Sequence, residues 1–196
     1  MPAVVVVFAG RFQPFHAGHF GVYSALVERF GADAVYLASS DRAAGTTGRP
    51  APLPFSDKKR LITGLFDVPA DRVVQIKSPY APREILAAYD PEQTAFVAVI
   101  GARDEGRLKS RYWEPFVEGA PLLPYPTRGY ILTMPPRAAD LSASQIRAAL
   151  GDPSRPLEAR EAAFRALYPR WDAEIFHLLI DRLGAEPGQA TSSESP

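Results

Sequence analysis

Cysteine is absent from the 196 residues of the chain. This absence excludes a disulfide scaffold, a zinc ribbon and a thiol nucleophile, and it favours a reducing, cytoplasmic location. Neither charge is in excess, because 22 basic residues balance 22 acidic ones. The electrostatic footprint of a nucleic-acid-binding protein is therefore missing. No stretch reaches the ~18–20 apolar residues of a membrane span, and we expect neither a nucleic-acid nor a membrane partner.

Histidine is scarce, and two of the 3 histidines lie close together. His16 and His19 belong to the stretch GRFQPFHAGHF (10–20), which overlaps the end of the apolar run AVVVVFAG (3–10). The third, His177, lies far away in a segment with an apolar helical face, where we expect a packed or half-exposed side chain. No HExxH pattern or third nearby ligand accompanies the pair, so we expect no protein-bound metal site.

Short apolar runs and segments of helical periodicity follow each other along the chain. The predicted strands are Val4–Phe8, Ala34–Ala38, Val73–Ile76, Thr94–Ile100 and Gly129–Met134. The predicted helices are 17–30, 57–66 with Ser56 as N-cap, one that begins at Ser142 or Ser144, and one or two over 157–184 with a break near Pro169. This alternation predicts an α/β fold with a mostly parallel sheet.

Three loops directly follow predicted strands, namely 10–19, 39–54 and 101–109. The carboxyl ends of parallel strands lie at one edge of a sheet, and ligands bind there, near the point where the strand order reverses. We therefore expect these three loops to meet at one edge.

The first of these loops has the composition of an anion site. A strand that leads through a glycine turn into a helix N-terminus presents unpaired backbone N–H groups and the positive end of the helix dipole. Gly10 allows close approach of backbone to backbone. The i, i+3 spacing places His16 and His19 on one helix face, where both can donate to the same anion. Two helix-capping histidines are the structural alternative.

The stretch GRFQPFHAGH (10–19) resembles the signature of the HxGH nucleotidyltransferases, most closely the archaeal-type nicotinamide mononucleotide (NMN) adenylyltransferases. The resemblance covers roughly residues 3–150. It implies a Rossmann-like parallel sheet flanked by helices. It also implies transfer of an adenylyl group from ATP to a phosphomonoester, with release of pyrophosphate and with Mg²⁺ held mainly through the ATP phosphates. A homo-oligomer is possible, since many relatives assemble.

This resemblance divides the chain into three parts. We expect a nucleotidyltransferase Rossmann-like domain at 1–150, a small C-terminal helical extension at 151–185 and a disordered tail at 186–196. The loop at 40–55 is long and rich in Gly and Pro, which predicts an active-site flap that orders on ATP binding.

Two further stretches resemble phosphate-binding elements of the family. LSASQIR (141–147) resembles its second signature, which ends in Ile-Arg, and PFSDKKR (54–60) resembles its Pro-Phe-Ser/Thr stretch, which ends in Arg. An ordinary capped helix is the alternative for the first stretch. In the second, Lys58 and Lys59 either assist or form a solvated face.

Carried over residue by residue, the resemblance implies His16, His19 and Arg147 as catalytic residues. The nucleotide-binding residues that it implies are Gly10, Arg11, Phe12, Gly18, Arg60, Gly101, Ser142 and Ser144.

The acceptor side matches the family less well. Where the archaeal enzymes tend to have Asn soon after a Gly, this chain has Arg103 and Asp104. Asp104 is a candidate for binding a ribose hydroxyl, with a turn cap as the alternative. A flat nicotinamide ring could stack on Tyr80, Tyr112 or Trp113, although each of these residue types more often packs in a core. The GRFQPF stretch favours NMN.

Other acceptors remain open, namely phosphopantetheine, flavin mononucleotide or a CTP-dependent phospho-alcohol. A module that senses nucleotides without turnover is the non-enzymatic alternative.

Overall fold

The computed structural model of the protein describes residues 3–41, 51–101, 108, 110–135 and 142–184. Its strands are β1 (Ala3–Ala9), β2 (Val35–Ser39), β3 (Val73–Gln75), β4 (Thr94–Gly101), β5 (Trp113–Pro115) and β6 (Gly129–Met134). Its helices are α1 (Ala17–Phe30), α2 (Phe55–Phe66), α3 (Arg83–Leu86), α4 (Ala143–Gly151), α5 (Leu157–Leu167) and α6 (Ala173–Gly184). Most of the expected flap (42–50), Asp104 and the expected tail lie outside the described residues.

The strands form one sheet in the order β3-β2-β1-β4-β6-β5, and every pairing in it is parallel. The predicted α/β fold is confirmed. The strand order reverses between β1 and β4, which creates the crevice where open parallel sheets bind ligands. The edge strand β5 was not predicted, because it has three residues and one of them is proline.

Both faces of β1 are covered, which explains its unbroken apolar sequence. Val6 points into a large cluster shared with α1, α2 and the C-terminal helices. Val5 and Val7 point into a smaller cluster on the other face, which also contains Ile85 and Leu86 of α3. The central strand is therefore anchored from both sides, and its carboxyl end is held in a fixed position.

The start of α2 differs from the prediction. Ser56 does not cap this helix, because α2 begins at Phe55, two residues before the predicted start at 57. Pro54 occupies the N-cap position and makes no side-chain capping bond. Pro54 has the extended conformation of an N-cap, with ψ of 168°, and the carboxylate of Asp41 accepts from the backbone N–H of Phe55, so the start does not depend on a hydroxyl cap.

The C-terminal helices pack against the sheet domain. Ile146 of α4, Phe164 of α5 and Phe176 of α6 are buried in the same cluster as Val6 of β1. The predicted break near Pro169 is confirmed by the separation of α5 from α6. Gly151 lies so close to α6 that a Cβ atom there would be 2.5 Å from the carbonyl oxygen of Leu183. Within the described ranges, the structure has no helix long and apolar enough to cross a membrane.

The close approach of α4 and α6 makes Gly151 sensitive to any side chain. We expect Gly151→Ala to lower the free energy of unfolding by about 1–3 kcal/mol, because the added methyl meets rigid backbone and the two helices must separate. Urea denaturation measures the change. The control is Ala148→Ser, an exposed change in the same helix, for which we expect a difference within about 0.5 kcal/mol. Equal stabilities of the two variants would contradict this packing.

Candidate active site

The first loop (residues 10–16) is fixed by an aromatic ring. A Cβ atom on Gly10 would lie 2.4 Å from the ring of Phe12, so only glycine fits there. Phe12 is buried with φ of 47°, in the left-handed region, and its ring packs edge-on against Phe15 and His19 at 5.1 Å each. The close approach expected at Gly10 is thus to a side chain and not to backbone. The ring of Phe12 thus packs the loop against the carboxyl end of β1.

His16 and His19 lie face to face at the start of α1, with ring centroids 3.8 Å apart. His16 is the N-cap of the helix, and its Nδ1 accepts a hydrogen bond from the backbone N–H of Gly18 at 3.2 Å. That amide, expected to face a ligand, is therefore used inside the protein. Nδ1 of His19 is buried and has no hydrogen-bond partner among the described residues.

Burial keeps both imidazoles neutral. Desolvation lowers the pKa of His16 to about 4. It also lowers the pKa of His19 to about 3, and repulsion from a charged His16 adds to that effect. A neutral imidazole carries its proton on the nitrogen that does not accept a hydrogen bond, so Nε2 of His16 is a donor. In the ligand-free protein, the two imidazoles can therefore donate N–H hydrogen bonds to a ligand but carry no positive charge.

The second resembling stretch forms the N-terminus of α4. Ser142 is its N-cap in a reciprocal capping box with Gln145, at 3.2 and 2.7 Å. Its hydroxyl is therefore used by the helix. Arg147 donates to Oγ of Ser144 at 2.9 Å and to the backbone carbonyl of Gln13 at 2.6 Å. The guanidinium thus joins α4 to the first loop.

These elements enclose a cavity of about 430 Å³ that we call the helix-end pocket. Its chemistry-bearing lining is Arg11, His19, Ser144 and Arg147, and Phe12 forms part of its wall. The structure brings together one predicted catalytic histidine, the predicted arginine and one predicted hydroxyl at the N-termini of two helices. Such a cavity suits several phosphate oxygens.

A second cavity of about 280 Å³, the strand-end pocket, lies at the carboxyl ends of β1, β2 and β4. Gly10, Ser39 and Gly101 line it at these three ends, and Tyr80 lines it after β3. The predicted meeting of the three loops is confirmed for their described residues. Arg11 lines both cavities, so they are adjacent.

The cation that α2 directs towards the site is Lys58 and not Arg60. Arg60 is exposed, forms an ion pair with Glu174 of α6, and lines neither pocket. Lys58 is 2% exposed, and its Nζ donates to Oγ of Ser39 at 3.1 Å and to the carbonyl of Ser40 at 2.8 Å. Helical phase could have indicated this, because Lys58 precedes the buried Leu61 and Ile62 by three and four positions.

Two predicted acceptor aromatics lie at the opposite end of the sheet. Trp113 pairs with Gly129 at the start of β6, and its ring packs against Phe96 at 5.7 Å. The hydroxyl of Tyr112 donates to the carbonyl of Tyr125 at 2.6 Å. Both rings contribute to the fold at that edge. Of the three predicted aromatics, the structure brings only Tyr80 to the site.

Gln13 is a site residue that the sequence reasoning missed. Its buried side-chain amide donates to the carbonyl of Leu53 at 2.8 Å and accepts from the amide of Leu53 at 3.0 Å. No local pattern signals this bond, because the two residues are 40 positions apart. His177 is exposed on α6, and in the described part of the chain no three His, Asp or Glu side chains are grouped to hold a metal ion.

Known proteins share this architecture. The sequence model of the family described as cytidylyltransferase-like matches residues 7–149. A Vibrio parahaemolyticus structure, assigned as a nicotinate-nucleotide adenylyltransferase, is 14% identical with a TM-score of 0.52, over 90% of this chain and 98% of that one. The Plasmodium falciparum nicotinic acid mononucleotide adenylyltransferase, solved with NaAD, is 11% identical with a TM-score of 0.50, over 92% and 94%. The TM-scores indicate a common fold, and at these low identities the likeness shows the fold alone. No curated protein sequence matches the chain.

The neutral histidines make stability depend on pH. Below pH 6.5 the unfolded chain binds protons that His16 and His19 do not, since their folded pKa values are about 4 and 3, so the free energy of unfolding falls as the pH falls. We expect a loss of about 2 kcal/mol per histidine between pH 6.5 and 5 in the ligand-free protein. Urea denaturation at several pH values measures it. His19→Asn should flatten this slope, and the exposed His177→Asn should not. An unchanged slope in His19→Asn would contradict the assignment.

Proposed function

The chain belongs to the cytidylyltransferase-like family, and on that premise we propose that it transfers the adenylyl group of ATP to NMN, forming NAD and pyrophosphate. The observation that carries the proposal is the helix-end pocket. One histidine, two arginines and a serine hydroxyl converge there at two helix N-termini, beside a second pocket large enough for part of an acceptor.

The reaction is an in-line displacement. An oxygen of the acceptor's phosphate attacks the α-phosphorus of ATP and forms a new P–O bond. The bond from the α-phosphorus to the bridging oxygen breaks, and its electron pair leaves with pyrophosphate. The attacking phosphate is already ionised, so no general base is needed. The protein supplies alignment and stabilisation of the developing charge.

We assign the triphosphate to the helix-end pocket. His19, which lines this pocket, donates to the α-phosphate, while Arg147 and Ser144 hold the β- and γ-phosphates that leave together. His16 does not line the pocket; it caps α1 and packs against the ring of His19. Arg147 is suited to this role because its bonds to Gln13 and Ser144 preorganise its guanidinium. Mg²⁺ enters as MgATP, held by phosphate oxygens and water. The proposal does not require Arg60 at the phosphates.

We assign the acceptor to the strand-end pocket. Its lining of glycine, serine and short apolar side chains leaves room for a ring, and Tyr80 offers a face for stacking. Among the described residues, none other than Gly101 and its chain neighbours has an atom within 4 Å of where a Cβ on Gly101 would lie. Arg11, which lines both pockets, stands between the two substrates.

The proposed reaction is tested with a panel of substrates. With MgATP and NMN we expect NAD and pyrophosphate in equal amounts, measured by enzymatic cycling of NAD and by a phosphate assay after pyrophosphatase. The panel includes nicotinic acid mononucleotide, flavin mononucleotide, phosphopantetheine, and CTP with a phospho-alcohol. Pyrophosphate from another pair but not from ATP and NMN would overturn the acceptor or nucleotide assignment. ATP binding without pyrophosphate from any pair would favour a non-catalytic sensor.

The role of His19 predicts a specific kinetic change. We expect His19→Ala to lower kcat about 10²–10³-fold while the KM for ATP changes little, because a preorganised donor acts mainly on the transition state. Steady-state kinetics with both substrates varied measures the two effects. His177→Ala is the matched control and should keep full activity, since His177 is exposed on α6. A rise in KM alone, or equal effects on both constants, would contradict the assignment.

A further inference from the structure

Lys58 is buried where a cation is costly. It is 2% exposed, and it lies in the first turn of α2, where the helix dipole disfavours positive charge. Removing an ammonium group from water is unfavourable unless hydrogen bonds and partners replace the lost hydration. A buried lysine of this kind therefore indicates either a ligand that stabilises its charge or a function that needs the charge there.

The hydrogen bonds of Lys58 lead to the strand-end pocket. Its Nζ donates to the hydroxyl of Ser39 and to the carbonyl of Ser40, and both serines line that pocket. The hydroxyl of Ser39 donates in turn to the carbonyl of Arg11 at 3.4 Å. A line of contacts thus runs from the buried ammonium through the pocket wall to the first loop. Lys58 itself lines neither pocket, and it reaches the strand-end pocket through its hydrogen bonds to Ser39 and Ser40.

The carboxylate that acts on the charge of Lys58 is shared with other donors. Desolvation lowers the pKa of Lys58, the nearby Asp41 opposes that effect, and the charge of Arg11 adds to it. The carboxylate of Asp41 also accepts hydrogen bonds from the backbone N–H of Phe55 and from the side chain of Gln75. Asp41 is therefore not a dedicated partner of the buried ammonium. The phosphate of a ligand in the strand-end pocket would add a second negative charge on the side of the Ser39–Ser40 wall.

We propose that Lys58 is a positioning residue for the acceptor: its buried charge attracts the acceptor's phosphate into the strand-end pocket, and its hydrogen bonds hold the Ser39–Ser40 wall in place. The ligand class is a phosphomonoester. This inference rests on the proposed function, because it presupposes that the acceptor occupies this pocket and ATP the other. It assigns Lys58 to acceptor binding and not to ATP binding.

The test compares two neutral substitutions with a neighbouring control. Lys58→Met removes both charge and donor, whereas Lys58→Gln removes the charge and keeps an N–H donor. For both we expect the KM for NMN to rise about tenfold or more, as for the loss of a charge interaction in a partly desolvated site, while the KM for ATP stays within about twofold. Lys59→Met makes the same chemical change one position along α2, outside both pockets, and should leave both constants unchanged.

Binding without turnover separates this inference from the proposed reaction. Calorimetric titration of each protein with NMN alone should show weaker binding in both Lys58 variants and wild-type binding in Lys59→Met. If the wild type releases no pyrophosphate with any substrate pair but this binding difference is seen, the proposed reaction fails and the role of Lys58 stands. If the Lys58 variants bind NMN as the wild type does, or lose NMN and ATP affinity equally, the proposal for Lys58 is overturned.

Folding of the variants is checked by urea denaturation. Should Lys58→Met fail to fold, Lys58→Gln carries the test, because its amide can keep the bond to Ser40. Ser39→Ala removes the hydroxyl link and keeps the charge. We expect it to raise the KM for NMN less than threefold, since the charge is retained. An effect of Ser39→Ala as large as that of Lys58→Gln would mean that the wall contact matters and the charge does not.

Discussion

The site depends on one junction, at Gln13 in the first loop. Its side-chain amide pairs twice with the backbone of Leu53, and its own carbonyl accepts the hydrogen bond of Arg147. Three segments distant in sequence, the first loop, the approach to α2 and the N-terminus of α4, are joined at this residue. Because Gln13 is buried, losing any of these bonds would leave a polar group unpaired at a cost of about 1–3 kcal/mol. The pocket therefore has its shape before any ligand binds.

The aromatic residues of the first loop explain why the histidines are neutral. Phe12 and Phe15 pack against the ring of His19, which in turn packs against His16, and the imidazoles lose hydration as a result. His19 has an unpartnered, buried Nδ1, which is a local cost that the packing of Phe12 and Phe15 offsets. Unsatisfied polar atoms of this kind occur where a structure is arranged for a ligand or a reaction. Neutral rings can approach each other at 3.8 Å, whereas two imidazolium ions at that distance would repel strongly.

The parts of this architecture that local sequence encodes could be predicted, and the parts set by distant contacts could not. The apolar β1, the helix after His16 and the cap at Ser142 follow from runs, periodicity and capping residues within a few positions. Which cation of α2 faces the site is decided by the packing of α2 against α6, where Arg60 meets a glutamate 114 positions away. Trp113 likewise lies at the far end of the sheet because β5 pairs with the start of β6. A strand of only three residues gives no sequence signal for that pairing.

The arrangement of charge suits the two anionic substrates of the proposed reaction. In the proposed reaction, a phosphate must approach a triphosphate within bonding distance, and their mutual repulsion grows as water is excluded. Fixed cations behind each substrate reduce that repulsion. Arg147 serves one pocket, Lys58 the wall of the other, and Arg11 the boundary between them. His19 then needs only to donate a hydrogen bond at the reacting phosphorus. In the proposed reaction, the charges that bind the substrates and the donors that act on the transition state are thus carried by different residues, so each can be altered separately.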